Sequence, residues 1–240
     1  MNRRRTLLSS AYIPVQDGLL LWMDGIKNTR SGHSTTPTAW EDLSGNNIDG
    51  AYIGNVIYDE NGFIVDKQSG ISYVAIDSPL IAVNYQKDFT AEFLFSIERF
   101  ASGKTNEIFG CLHSPSFDAQ FWTTSPNHGN GEGLGMRFFK VRFPNTGGYP
   151  SYNTDVNLPV SISVSYNSSL NAIEYYVDSE KVATVSRVSN ADSYGFSLGA
   201  YLSTPDDGAS KWYSLRYYNR TLKQEEIVKN FKQDKRRYKF

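Results

Sequence analysis

Residues 113–153 hold a dense run of side chains suited to sugar recognition: Phe117, Trp122, His128, Asn130, Phe143, Asn145, Tyr149, Tyr152 and Asn153, set among glycines and prolines. Aromatic faces stack on the apolar C–H faces of sugars, while Asn and His side chains bond hydroxyls within a pre-formed concavity. Trp122, His128, Asn130, Tyr149 and Tyr152 are therefore the candidate glycan-binding residues. Long loops on a rigid scaffold are where such groups usually sit. The plainer alternative makes Trp122 and Phe143 core residues and leaves the segment a decorated loop.

Catalytic chemistry finds less support. A retaining glycosidase needs two carboxyl groups roughly 5–5.5 Å apart across the scissile bond. No run places two carboxylates on one strand face: Glu92 stands alone in its strand, and Glu98 follows beside Arg99. Both glutamates are read as solvent-facing, since carboxylates are seldom buried. A lyase would want a His or Tyr base, with Arg and Asn or Gln neutralising a substrate carboxylate. His113, His128, Arg137, Arg142 and Tyr149 supply those types and could meet, but nothing in their spacing specifies that they do. His33 lies in a polar Ser/Thr loop and reads as a surface residue. Cys111, the single cysteine, sits in the apolar run Ile108-Phe109-Gly110-Cys111-Leu112, so it reads as a small core residue rather than a nucleophile. No catalytic residue is assigned, and the chain is expected not to be an enzyme.

The elements that must hold these groups are strands. Among 240 residues, 16 Tyr, 14 Phe, 4 Trp and 19 Gly, with 20% charged residues, make an all-β balance and exclude a disordered chain. Val160-Ser161-Ile162-Ser163-Val164-Ser165-Tyr166 alternates with period two, which places Val160, Ile162, Val164 and Tyr166 on one buried face. Turns at Asn167-Ser168-Ser169 and Asp178-Ser179 extend this into a three-stranded meander over 160–185. Further apolar runs at 19–24, 71–76, 89–98, 107–112, 119–124, 134–143, 194–202 and 211–218 bring the total to about a dozen strands. One helix is expected over 221–232, with Thr221 as N-cap, Gln224 completing a capping box, and Leu222, Ile227 and Phe231 on the docking face.

Charge is distributed unevenly. Residues 220–240 carry eight Lys/Arg against three acids, and Arg3, Arg4 and Arg5 add three more cations. The remaining body holds 13 basic and 22 acidic residues, a net of −9. Arg3, Arg4, Arg5, Lys235, Arg236 and Arg237 are the candidate assembly contacts, able to reach an acidic neighbour, with a solvated tail as the plainer alternative. The absence of a nucleic-acid recognition motif argues against that partner. The apolar stretch after the arginines stops at Ser9-Ser10, short of the ~7–15 residues of a secretory h-region, so no signal is expected. No run reaches membrane-spanning length.

Two segments carry a family resemblance. Leu19-Leu20-Leu21-Trp22-Met23-Asp24-Gly25 and Trp40-Glu41-Asp42-Leu43-Ser44-Gly45-Asn46-Asn47-Ile48-Asp49-Gly50 resemble the first strand and loop of concanavalin A-like domains, most closely the laminin-G-like branch. Tyr213-Ser214-Leu215-Arg216-Tyr217-Tyr218-Asn219-Arg220-Thr221-Leu222 resembles that branch's last strand, and Lys223-Gln224-Glu225-Glu226-Ile227 its helix. The resemblance implies an all-β, two-sheet antiparallel jelly-roll sandwich over residues 17–232 with a short C-terminal α-helix. A basic arm at 1–16 and a basic tail at 233–240 would flank it. Trp40 should anchor the Asp42–Gly50 loop on the core.

That resemblance also implies functions. Laminin-G-like rims often hold calcium, which needs oxygen ligands. Asp24 matches the early ligand, with Asp42 and Asp49 as further candidates, but Tyr213 stands where a second Asp is expected. Similar domains serve as phage virion proteins, so the expectation is a non-enzymatic binding or structural module, a capsid decoration or tail component made in the host cytoplasm. Its partners would be other virion subunits and host-surface glycan, with a homo-oligomer left open. The alternatives are a carbohydrate-active enzyme of the same fold or a secreted bacterial adhesin domain.

Overall fold

The computed structural model describes residues 12–68, 70–84, 86–99, 105–113, 119–124, 133–138, 141–143, 157–186, 192–199 and 208–240. Among them the strands run, in chain order, β1 (Leu19–Asp24), β2 (Ala39–Trp40), β3 (Gly50–Ile53), β4 (Val56–Tyr58), β5 (Phe63–Asp66), β6 (Tyr73–Ile76), β7 (Ala82–Asn84), β8 (Phe89–Arg99), β9 (Thr105–His113), β10 (Ala119–Thr124), β11 (Gly133–Phe138), β12 (Val141–Phe143), β13 (Val160–Asn167), β14 (Ala172–Val177), β15 (Glu180–Ser186), β16 (Asp192–Leu198) and β17 (Ala209–Tyr218). A single helix, α1 (Gln224–Tyr238), follows.

Two antiparallel sheets face one another. The first has the order β15-β14-β13-β8-β17-β5-β4, with β1 beside the second half of β17. The other has the order β12-β11-β10-β9-β16-β6-β3-β2, with β7 also pairing to β16. Side chains alternate along each strand, so Phe89, Ala91, Phe93, Phe95 and Ile97 of β8 turn inward onto Phe109, Phe196 and Tyr217. Phe93 and Phe109 meet edge-to-face at 4.7 Å, and Phe109 and Phe196 at 5.1 Å. Such pairs add about 0.5–1.5 kcal/mol each beyond their buried area. Cys111 is fully buried in this core, and Trp40 is too, its Nε1 donating to the Asp24 carbonyl at 3.0 Å.

The 160–185 meander forms as β13-β14-β15, with Val160, Ile162, Val164 and Tyr166 in the core. Its other face is covered as well: Ser161, Ser163 and Ser165 are buried, and the Ser165 and Thr90 hydroxyls lie 2.9 Å apart. The cover is α1, which lies on the outer face of the first sheet; its Ile227, with Leu222 just ahead of the helix, packs against Tyr176 and Tyr218.

The helix differs from the one expected at 221–232. Thr221 cannot cap it, because its hydroxyl donates to the Tyr166 carbonyl at 3.0 Å. Lys223 is the N-cap residue, and Glu226 reaches back to its N–H at 2.9 Å. At the far end α1 continues through the proposed 233–240 tail to Tyr238 and closes at Lys239, whose N–H donates to the Lys235 carbonyl. The buried stripe is Ile227, Asn230, Asp234 and Tyr238. Helical spacing is kept there, but half the anchors are polar, so an apolar pattern loses the thread.

Arg220 grips Glu226 with two hydrogen bonds of 2.9 and 2.6 Å. Those bonds hold the Glu226 carboxyl at about 2, below its ordinary 4.5. A depressed carboxyl stabilises the fold above its unfolded value, and that contribution fades as pH falls from about 4.5 towards 2. Glu226→Gln is expected to cost about 1 kcal/mol at pH 7. The gap between variant and wild type should close between pH 4.5 and 2 in urea titrations. A gap independent of pH would contradict this role.

Candidate functional site

The outer face of the first sheet carries a buried ionic cluster. Arg216 of β17 donates from Nε to Glu92 of β8 at 2.8 Å and from Nη1 to Asp234 of α1 at 2.9 Å, with Nη2 bonded to the other Asp234 oxygen. The three side chains are 3%, 2% and 0% exposed. Tyr12 donates to Asp234 and accepts from Arg216, while Asn230 donates to Glu92 at 2.8 Å and to the Tyr218 hydroxyl at 2.9 Å. Glu92 is thus not the solvent-facing residue expected, because α1 closes over it and Arg216 supplies the counter-charge. Burial pushes the Glu92 carboxyl up, against the pull of Arg216. Burial acts to lower Arg216, but Asp234, Tyr12 and Glu92 together outweigh it and keep the guanidinium firmly charged. A general acid must reach its substrate. These carboxylates are sealed, and they cross-link β8, β17, α1 and the strap at Tyr12.

The calcium candidates are also committed. Asp24 is buried; its Oδ1 accepts the Ile26 and Lys27 amides at 2.8 and 2.7 Å, and Arg237 bonds Oδ1 at 2.8 Å and reaches Oδ2 at 2.6 Å. Asp42 accepts the amides of Trp22, Ser44 and Ile48 and the Ser44 hydroxyl. Asp49 accepts the Asp42 amide at 2.9 Å and the Arg30 guanidinium. Calcium needs carboxylate lone pairs. Here N–H and O–H donors take both oxygens of Asp42 and Oδ1 of Asp24 and Asp49. A guanidinium cation already stands beside Asp24 Oδ2 as an ion pair without hydrogen-bond geometry. At the Tyr213 position the backbone carbonyl is occupied too, by the Tyr238 hydroxyl at 2.6 Å. The donor set does not fit calcium: Arg237, stacked on the Tyr12 ring at 4.6 Å, is the counter-charge of Asp24. Adding calcium or EGTA is therefore expected to leave the melting temperature unchanged, while Arg237→Gln should cost about 2 kcal/mol. A calcium-induced rise in the wild type would contradict this assignment. Arg237 is bound within the fold to Asp24, whereas Lys235 and Arg236 are exposed.

Of the glycan candidates, Trp122 belongs to β10, with its backbone opposite Gly135 of β11 and beside the register shift against β9. His128, Asn130, Tyr149 and Tyr152 lie outside the described residues, as do Arg3, Arg4 and Arg5. His113, which opens the aromatic-rich segment, ends β9 and stacks on Tyr194 of β16, with ring centroids 4.3 Å apart and planes 20° apart. Its Nε2 lies 2.9 Å from Asp77 Oδ1. Exposed His33 bonds the Ile26 carbonyl through Nδ1.

The described residues define an all-β, two-sheet antiparallel sandwich closed by one C-terminal helix. No protein-family model and no curated protein sequence matches the chain. Solved structures do. A Trypanosoma rangeli sialidase superposes with a TM-score of 0.62 at 16% identity, over 89% of this chain and 32% of that one. The binding domain of botulinum neurotoxin serotype D gives 0.61 at 13% identity, over 91% and 52%. The binding domain of Paraclostridial Mosquitocidal Protein 1 gives 0.61 at 15%, over 90% and 52%. The chain thus spans between a third and a half of the structures it resembles, and at these identities the likeness is one of fold.

Proposed function

We propose that this chain is a non-catalytic recognition module that binds glycan on a rigid jelly-roll sandwich. The observation that carries the reading is the fate of the buried acids. Asp24, Asp42, Glu92 and Asp234 are each held by guanidinium groups or backbone amides, so none of them is placed to protonate or attack a sugar. What such a scaffold offers instead is its surface and loops. The similarity to a sialidase and to toxin binding domains supports the reading at the level of fold. The setting proposed is a phage virion, as capsid decoration or tail component, with acidic neighbouring subunits meeting the exposed Lys235 and Arg236.

Incubation with a polysaccharide panel should release neither reducing ends nor unsaturated products above blank, while a glycan array shows retained protein. Turnover abolished by one Glu, Asp or His substitution would overturn the non-catalytic reading. Charge reversal at Lys235 and Arg236 should reduce incorporation into particles, as should raised salt. Incorporation indifferent to both would remove the virion contact.

A further inference from the structure

We propose that His113, Tyr194 and the out-pouched segment 77–81 form a subsite for a neutral hexose, a proposal that rests on the glycan-recognition reading and locates it. The site begins with a broken strand. Along one edge, β16 pairs with β7 through Asp192–Tyr194 and then with β6 through Phe196–Leu198. The change of partner falls at Gly195, whose φ is 69°. A Cβ there would stand 3.0 Å from the Ile76 carbonyl and 3.3 Å from the Leu112 side chain, so both space and backbone favour glycine.

Between β6 and β7 the chain leaves the sheet as a tight pouch. Ile81 and Leu80 donate their amides to the Ser78 carbonyl and hydroxyl, and the Gly195 amide ties the pouch back through the Ile81 carbonyl at 3.1 Å. This holds Asp77 and Leu80 outward, with Leu80 53% exposed and the Asp77 side chain 63% exposed. On the other edge of β16, Tyr194 sits in register with His113. The result joins a stacked aromatic pair to a carboxylate–imidazole pair 2.9 Å apart, with exposed Leu80 three residues along the same segment from Asp77.

A hexose has the matching faces: C–H groups for a flat ring or an apolar chain, and adjacent hydroxyls for a paired donor and acceptor. With Nε2 of His113 directed at Asp77, Nδ1 and the second carboxylate oxygen are the atoms that two hydroxyls would meet. The exposed carboxylate, on a body of net charge −9, selects against sialic or uronic acids.

The test is calorimetric titration of the full chain with di- and trisaccharides of glucose, galactose and mannose, each beside its sialylated form. Wild type should bind a neutral member at least tenfold more tightly than its sialylated counterpart. Asp77→Ala and His113→Ala should each weaken that binding at least tenfold with unchanged melting temperatures, and Asp77→Asn should recover part of it. Wild-type binding that survives both alanine variants, or that favours the sialylated form, overturns the subsite and leaves glycan recognition standing. No binding to any member, charged or neutral, overturns both.

Discussion

Arg216→Met is expected to destabilise the chain by about 3–5 kcal/mol, because it strands two carboxylates beneath α1 with no cation between them. Glu92 and Asp234 are at most 2% exposed, and water cannot replace the guanidinium. In a chain of this length that loss corresponds to a fall in melting temperature of roughly 6–20 °C. Adding Glu92→Gln and Asp234→Asn to Arg216→Met should recover much of it, since neutral amides carry a smaller desolvation cost. Urea denaturation of the single and triple variants reads this directly. A single variant within 1 kcal/mol of wild type would mean that the cluster is hydrated and that α1 is not a seal.

Truncation after Lys232 should be more damaging still. It removes Asp234 from Arg216, Arg237 from Asp24, and Tyr238 from its packing against Leu94 and Tyr213. A buried Asp24 stripped of its guanidinium, an Arg216 left with Glu92 alone and the lost aromatic burial together amount to roughly 5–8 kcal/mol, comparable with the entire stability of many domains. The truncated chain is expected to lose its cooperative melting transition and its near-ultraviolet circular dichroism. Wild-type melting after truncation would restore residues 233–240 to the solvated tail that their charge suggests.

The strands were legible because β13 alternates cleanly and because turn residues separate each apolar run. Trp40 and Cys111 were legible because large or soft apolar groups in apolar surroundings have one favourable place. The ionic cluster was not, although each member left a trace. Glu92 stands inside Phe89–Ile97 and Arg216 inside Trp212–Tyr218, runs that are mostly apolar or aromatic and hold no other charged residue. A lone charge in such a run has little to do at the surface and signals a buried partner. Pairing the two requires the register that sets Arg216 opposite Glu92, which sequence spacing does not contain. The rim site shows the same limit. His113 was noticed as a titratable group, but Asp77 is 36 residues away, and only the switch of partners along β16 brings them together.

The central claim is that the described rim at residues 77–81, 112–113 and 192–195 meets sugar while the α1 face does structural work. Amide chemical-shift mapping of deuterated, full-length protein titrated with the best neutral oligosaccharide tests it most directly. Perturbations concentrated at 77–81, 112–113 and 192–195, with the amides of α1 unmoved, are the predicted result. Perturbations centred on α1, or none at saturating sugar, would contradict it.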